Sequence, residues 1–364
     1  MSLQLSSEPK YAPLPAYAAD LLHASLYTAE DVQRLLEREL LIQDAWGGGP
    51  LPASIFPSDA LHVLDIGCGA GTWLKSMSQA YPHMHLVGVD RDASAISASR
   101  TLNTRHTDVR LYQCDAHSMG VSECENASYD LVHLRFLAPD SAPHQYAALL
   151  REAERLCRYG GLITVCEIEL PISDCNALNQ LMHLLQQALE RDDRAFTPET
   201  SHQLGIMSWA QRCLQAFNCK LVQDEKFYIP CSYGSKGYLL FCQYLEQIIR
   251  CIKPLLICTQ TIALEELEEL EHEVRCEVAS QKFYGLCPLY VQSWRRLSPN
   301  PTNDVLLIQK EHRRARNRMF RARLCSFCMR SITMQEYLWQ VVYTRTRNIF
   351  KKARFERSKG RSAT

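Results

Sequence analysis

The sequence lacks a long uncharged apolar run, which argues against a membrane-spanning protein. The best candidate begins at Tyr238 but is interrupted by Glu246, Arg250 and Lys253, too many charges for a helix that crosses a bilayer. The N-terminus also lacks a basic start followed by an apolar stretch. We therefore predict that the protein has no signal peptide and is cytoplasmic.

The 16 cysteines lack the regular spacing of a disulfide framework. We predict that they are reduced thiols, several of which take the place of small apolar residues, as at Cys114, Cys166 and Cys242. The CxxC pair at Cys325 and Cys328 has no second pair nearby. A chance occurrence explains this pair better than a zinc site does, and we predict that the protein binds no metal.

Charge is unevenly distributed, although acidic and basic residues number 40 each. From Lys310 onward there are 16 Lys/Arg and 3 Asp/Glu, so the preceding chain is acidic. This basic tail could bind nucleic-acid phosphates, lie on an anionic membrane, remain solvated, or fold back on the glutamates of residues 265–277. The first two interpretations are less favoured than the last two.

Short apolar runs alternate with helical patterns between residues 61 and 169. Alternation of this kind predicts an α/β fold, in which helices cover a parallel sheet. A helix is also predicted from Thr28, a candidate N-cap with Asp31 three residues later. It is followed by Val32, Leu35, Leu36, Leu40 and Leu41 at helical spacing. After the fifth predicted strand come two helices, a strand and two more helices, the last with an apolar stripe at Leu264, Leu267, Leu270, Val274 and Val278.

The stretch "LDIGCGAGTW" places three glycines between a predicted strand and a predicted helix. Glycine lets a ligand approach the backbone closely, and ligands of open α/β sheets bind at the edge where such a turn lies. The spacing is G-x-G-x-G, not the dinucleotide pattern G-x-G-x-x-G, because Thr72 stands at the last position. Asp65 would repel a pyrophosphate but suits an ammonium group. The loop therefore favours S-adenosylmethionine (SAM).

Two further acidic residues follow the next predicted strands. Asp90 closes the second strand, where a carboxylate can accept hydrogen bonds from ribose hydroxyls. Asp115 closes the third, where it can accept one from the adenine amino group. Acidic residues at three consecutive strand ends are a stronger signal than the glycines alone.

With these motifs, residues 60–170 resemble class I SAM-dependent methyltransferases of the bacterial small-molecule type. The resemblance implies a Rossmann-like sheet of seven strands in the order 3-2-1-4-5-7-6, with helical insertions after strands 5 and 6. It also implies that Arg135 flanks SAM after the fourth strand, although a surface salt bridge is an equal alternative. Tyr159 departs from the proline usual before the fifth strand. The residues that we predict to bind SAM are Asp65, Gly67, Cys68, Gly69, Gly71, Asp90, Arg91, Asp115, Ala116 and Arg135.

No catalytic residue is assigned, because the sulfonium of SAM is already activated and alignment supplies much of the acceleration. His133, Glu167 or Glu169 could act as a general base, but hydrogen-bonded strand residues are the favoured interpretation of each. Trp73 is at least as well explained by packing as by contact with SAM.

We predict four segments: a helical cap at 1–58, the SAM-binding core at 59–170, a helical substrate region with the last two strands at 171–298, and the basic tail at 299–364. The predicted activity is methyl transfer to a small hydrophobic or aromatic acceptor. "LRFLAPD" lacks the motif of nucleobase-amino methylases after the fourth strand, but an RNA acceptor recruited by the tail stays an alternative. A non-catalytic SAM-binding regulator is another.

Overall fold

A computed structural model of the protein describes residues 28–55, 60–103, 108–116, 126–139, 141–196 and 203–299. All of its helices and strands belong to one compact unit, Met1–Ser298. The basic tail from Lys310 and the pair Cys325–Cys328 lie outside the described residues, and their predicted roles stay predictions.

The elements alternate as the sequence predicts. The helices are α1 (Ala29–Ala45), α2 (Thr72–Ala80), α3 (Ala93–Leu102), α4 (Pro143–Leu156), α5 (Asn176–Arg191), α6 (Ile206–Ala216), α7 (Tyr238–Cys258) and α8 (Leu264–Val278). The strands are β1 (His62–Ile66), β2 (His85–Asp90), β3 (Val109–Gln113), β4 (Tyr129–Arg135), β5 (Cys157–Ile168), β6 (Ile172–Ser173), β7 (Cys219–Pro230) and β8 (Gly285–Arg296).

The strands form one sheet with the order β3-β2-β1-β4-β5-β8, and β7 pairs with the far side of β8. Strands β1 to β5 are parallel, whereas β8 runs antiparallel to β5. The expected order is therefore confirmed. The described residues form eight strands instead of seven, because the two-residue β6 also pairs with β8, at Ile172 opposite Leu286. Two residues are too few for a periodic pattern, so the sequence does not reveal this strand.

Apolar layers cover both faces of the sheet. On one face, Leu64, Val132 and Val165 are fully buried in the cluster that α4 and α6 complete. On the other face, Val63 and Leu131 pack against α2. Helix α1 covers another part of this second face. Ile42 of α1 and Trp46, which follows the helix, are buried against residues of β5 and β8. The carboxyl ends of β1, β2 and β4 consequently open between α1 and the loops that follow these strands.

The two helical insertions pack on each other in a cluster of their own. Leu181 of α5, Ile249 of α7 and Val274 of α8 are buried in it. Among the described residues, no helix is both long and apolar enough to cross a membrane. The predicted stripe of α8 is wrong at Leu264, the first residue of the helix, which is 44% exposed.

Helices α1 and α4 confirm one prediction and correct two others. Thr28 caps α1 in a capping box with Asp31, as predicted. Leu40 of α1 is 65% exposed, so its place in the predicted stripe is wrong. The sequence predicts that the helical segment 142–161 ends at Gly160 and Gly161. Helix α4 instead ends at Leu156, because Cys157 already pairs with Tyr129 in the sheet and the pairing is irregular over the glycines of β5.

Candidate active site

The glycine loop turns tightly from β1 into α2. Gly67, Gly69 and Gly71 have φ values of +72°, +53° and +72°, in the left-handed region that favours glycine. The backbone N–H groups of Gly67 and Cys68 donate to the Val89 carbonyl at 2.8 and 3.0 Å. These bonds fold the loop onto the end of β2, where a ligand can lie along it.

Neighbouring side chains explain two of these glycines. A Cβ on Gly67 would lie 2.3 Å from Leu137 Cδ2, and one on Gly71 would lie 2.0 Å from Ser99 Oγ and 2.8 Å from Asn103 Nδ2. Gly71 is also the N-cap of α2 and provides no capping side chain. The first N–H groups of α2 therefore face the loop without a side-chain acceptor from the cap.

Asp90 ties the ends of two loops together. One carboxylate oxygen accepts from the Gly69 N–H at 2.8 Å, and the other accepts from the Asp92 N–H at 2.9 Å. Burial raises the pKa of Asp90, while these two backbone hydrogen bonds lower it. Each oxygen of a carboxylate can accept two hydrogen bonds, so this bridge leaves Asp90 able to accept two hydroxyl groups as well.

Asp65 and Arg135 lie together beneath the loop with Glu39 of α1. Burial raises the pKa of Asp65 to about 8, Arg135 opposes this, and Glu39 adds to it. Nη2 of Arg135 lies 2.5 Å from Oε2 of Glu39, and the two side chains are 8% and 2% exposed. The alternative of a surface salt bridge for Arg135 is thus wrong, because α1 covers the guanidinium. Its Nη1 is buried and has no hydrogen-bond partner in the described structure.

Glu39 is a residue of this site that the sequence analysis missed. It follows Leu35 and Leu36 by four and three residues, and it precedes the buried Ile42 by three. A glutamate on the apolar stripe of an amphipathic helix signals a buried charge with a partner. That signal was present in the sequence, but it does not identify the partner.

The other predicted cofactor residues also lie at this edge of the sheet. Asp115 and Ala116 follow β3, and the Cys114 N–H donates to the Asp90 carbonyl at 2.8 Å, which places them next to the end of β2. Arg91 is exposed directly after β2, and its carbonyl accepts from Gln113 Nε2 at 3.3 Å. The structure therefore brings all ten predicted residues to one edge; their roles in binding stay predictions.

His133 and Trp73 form a packed pair within the structure. Their ring centroids lie 4.0 Å apart, and His133 Nδ1 lies 2.6 Å from Thr164 Oγ1. Trp73 Nε1 donates to the Pro50 carbonyl at 2.7 Å. Burial lowers the pKa of His133 well below its usual range, so the imidazole is neutral. These contacts support a packing role for both residues.

Glu167 and Glu169 act as hydrogen-bond acceptors for the loops around the site. Oε1 of Glu167 accepts from the Leu137 N–H at 3.0 Å and from the Tyr146 hydroxyl at 2.9 Å. Burial raises the pKa of Glu167 to about 8 despite these bonds. Glu169 accepts from the N–H groups of Leu204 and Ile206 at 2.6 and 3.2 Å and so holds the start of α6.

A small pocket adjoins the segment that follows β4. The segment begins with Phe136 and Leu137, and the pocket lining starts at the next residue, Ala138. Its apolar lining residues are Ala138, Pro139, Leu189, Ala195, Phe196, Leu204 and Ile206. The lining also contains polar and charged residues, namely Ser141, Gln186, Glu190, Arg194 and Gln203. Because Leu137, the residue before Ala138, lies against Gly67, the pocket lies close to the glycine loop.

Comparison with known proteins agrees with this geometry. Residues 57–298 match a family described as "Methyltransferase domain". The secondary metabolism regulator laeA of Coprinopsis cinerea is 31% identical over 130 residues, which are 35% of this chain and 30% of the relative. The match therefore spans about a third of the length of that relative.

Solved structures resemble the chain at low identity. YcgJ of Bacillus subtilis is 18% identical, with 65% of this chain and 93% of that chain covered and a TM-score of 0.38. Phosphoethanolamine N-methyltransferase 2 of Haemonchus contortus is 13% identical, with 77% and 60% covered and a TM-score of 0.42. Geranyl diphosphate C-methyltransferase of Streptomyces coelicolor is 11% identical, with 80% and 86% covered and a TM-score of 0.35. These sequence identities and TM-scores are too low to indicate a substrate for this chain.

Proposed function

Because the chain belongs to the methyltransferase-domain family and is a SAM-dependent methyltransferase, we propose that it transfers the methyl group of SAM to a small, predominantly apolar acceptor. The observation that carries the proposal is the glycine loop, closed onto β2 by the 2.8 Å bond from the Gly69 N–H to Asp90. The apolar pocket that begins at Ala138 supports the acceptor class.

The residues of the site fit the parts of SAM. Asp65 is suited to the ammonium group, since a cation beside it would favour its ionised form. The unpartnered Nη1 of Arg135 is suited to the carboxylate. Asp90 would take the ribose hydroxyls, and Asp115 with Ala116 would take the adenine edge. The tight turn that Gly67, Gly69 and Gly71 permit would let the methionine end lie against the loop.

SAM supplies an activated methyl group, and the chain's contribution is to hold donor and acceptor in line. Glu167 and Glu169 accept hydrogen bonds from backbone N–H groups, and His133 is stacked on Trp73. Oε2 of Glu167 is buried and has no hydrogen-bond partner among the described residues. The acceptor would lie over the segment Phe136–Ala138, next to the apolar part of the pocket lining.

Calorimetric titration with SAM and with S-adenosylhomocysteine (SAH) tests the cofactor assignment. We expect micromolar binding that Asp90→Ala weakens at least tenfold. Asp108→Ala is a matched control, because Asp108 precedes β3 at the opposite edge and its side chain is 55% exposed. Absence of binding to folded wild-type protein, or equal losses in the two variants, would contradict the proposal.

A regulatory role is the second candidate, and the 31% identity to a protein named as a secondary-metabolism regulator favours it. Release of SAH from SAM in the presence of an acceptor panel separates the two candidates. Turnover with any acceptor supports methyl transfer. Tight SAM binding with no turnover supports a role that depends on binding alone.

A further inference from the structure

A guanidinium group lies between two aromatic rings near the carboxyl end of β4. Cζ of Arg38 is 4.9 Å from the ring centroid of Phe136 and 5.6 Å from that of Tyr244. The three residues come from α1, from the position after β4 and from α7. The N-terminal helix, the strand end and the helical insertion therefore meet at Arg38.

The backbone holds Phe136 firmly in this position. Its N–H donates to the Cys166 carbonyl at 3.0 Å, and its φ is +60°, a value that is rare for a bulky residue. Arg135, the preceding residue, also lies on the Phe136 ring, with its Cζ 5.4 Å from the centroid. Two guanidinium groups thus share one ring, while the nearby Glu39 pairs with Arg135 through Oε2 and accepts from Gln43 Nε2 through Oε1.

Arg38 has no hydrogen bond and no ion pair with any described residue, although it is half-buried. Arg34, one turn earlier on α1, pairs with Asp31. Aromatic rings cover the faces of the Arg38 guanidinium, whose N–H donors point along the edge of the plane and have no acceptor among the described residues. The fork of donors at that edge matches carboxylate and phosphate oxygens.

We propose that Arg38 binds an anionic group of the methyl acceptor, a carboxylate or a phosphate, and that Phe136 and Tyr244 hold the guanidinium plane for it. This inference rests on the proposed function, because it assumes that an acceptor lies over the segment after β4. It restricts the acceptor class to apolar or aromatic molecules that carry one anionic group.

Arginine Nε–Hε NMR spectra of the full-length protein saturated with SAH test the inference. The probes are 4-hydroxybenzoate, phenyl phosphate and the neutral 4-hydroxybenzamide. We expect the resonance that disappears in Arg38→Gln to shift saturably with at least one anionic probe and not with the amide. Binding of that probe should weaken at least tenfold in Arg38→Gln and stay within twofold in the control Arg34→Gln.

The inference is overturned if neither anionic probe moves the Arg38 resonance, or if Arg38→Gln and wild type bind the probe equally. SAH affinity is measured first in all three proteins. Failure of wild type to bind SAH would count against the proposed function itself. Normal SAH affinity with no response to anions would count against the Arg38 inference alone.

Discussion

Glu39 of α1 and Arg135 of β4 form a buried ion pair, with 2.5 Å between Oε2 and Nη2. Removal of one partner from such a pair leaves a buried charge uncompensated, at a cost of about 3–5 kcal/mol. We expect Glu39→Gln to lower the free energy of unfolding by about 3 kcal/mol, measured by urea denaturation.

Glu37→Gln is the control, because Glu37 lies on the exposed face of the same helix. The double variant Glu39→Gln/Arg135→Met should recover part of the lost stability, since it removes both charges. If Glu39→Gln costs no more than Glu37→Gln, the ion pair does not stabilise the fold as argued.

Gly71→Ala should reduce both stability and SAH affinity. Its new methyl group would overlap Ser99 Oγ, 2.0 Å away, in addition to the strain of φ +72°. Gly234→Ala isolates the strain, because Gly234 has φ +75° and nothing within 4 Å of a Cβ. We expect about 1–2 kcal/mol for Gly234→Ala and a larger loss for Gly71→Ala by chemical denaturation. SAH affinity should fall at least tenfold in Gly71→Ala only.

Glu167→Gln should stabilise the protein increasingly as the pH rises. The pKa of Glu167 is raised to about 8 by burial, so the folded state keeps a proton that the unfolded chain loses near its usual range. The stability that this proton contributes is complete below the unfolded pKa and is lost as the pH rises through about 8. Glutamine stays neutral, so its melting temperature should exceed that of wild type by a margin that grows from about pH 6 to about pH 9.

Glu265→Gln is the control for this titration, because Glu265 is exposed in the first turn of α8. Its melting temperature should differ from that of wild type by a constant margin over the same range. A constant margin for Glu167→Gln would mean that Glu167 is ionised in the folded protein.

Glu169→Ala should loosen the start of α6. The carboxylate accepts from the N–H groups of Leu204 and Ile206, and loss of a buried acceptor costs about 1–3 kcal/mol. Amide exchange of residues 204–209, followed by mass spectrometry, should accelerate at least tenfold. Glu169→Gln keeps one acceptor oxygen and should accelerate less; equal protection in Glu169→Ala and wild type would contradict this role.

Much of the fold could be predicted from sequence, because strands and helices alternate regularly between β1 and β5. The parallel core and the order of its strands follow from that pattern together with the family resemblance. The two-residue β6 could not be predicted, since it is too short for a periodic pattern and is defined by its pairing with the distant β8. The early end of α4 was missed because the partner of Cys157 lies 28 residues away in sequence, at Tyr129.

The site divides in the same way. Gly67, Gly71 and Asp90 have recognisable spacing, because local backbone geometry requires them. Contacts between distant segments produce no recognisable spacing in the sequence. Glu39 and Arg135, for example, are 96 residues apart. Arg38 and Tyr244, which are also in contact, are separated by more than half of the chain. Sequence periodicity marked Glu39 as unusual but could not name its partner.

The position of Glu39 limits how the protein can be divided. Residues 59–170 contain the glycine loop and the three aspartates, yet the counter-charge of Arg135 comes from α1. A fragment that begins at residue 59 would lack α1. The Arg135 guanidinium would then be exposed, and so would the residues of β5 and β8 that Ile42 covers. Exchange of N-terminal helices between related methyltransferases should therefore succeed only where the incoming helix carries an acid at the position of Glu39.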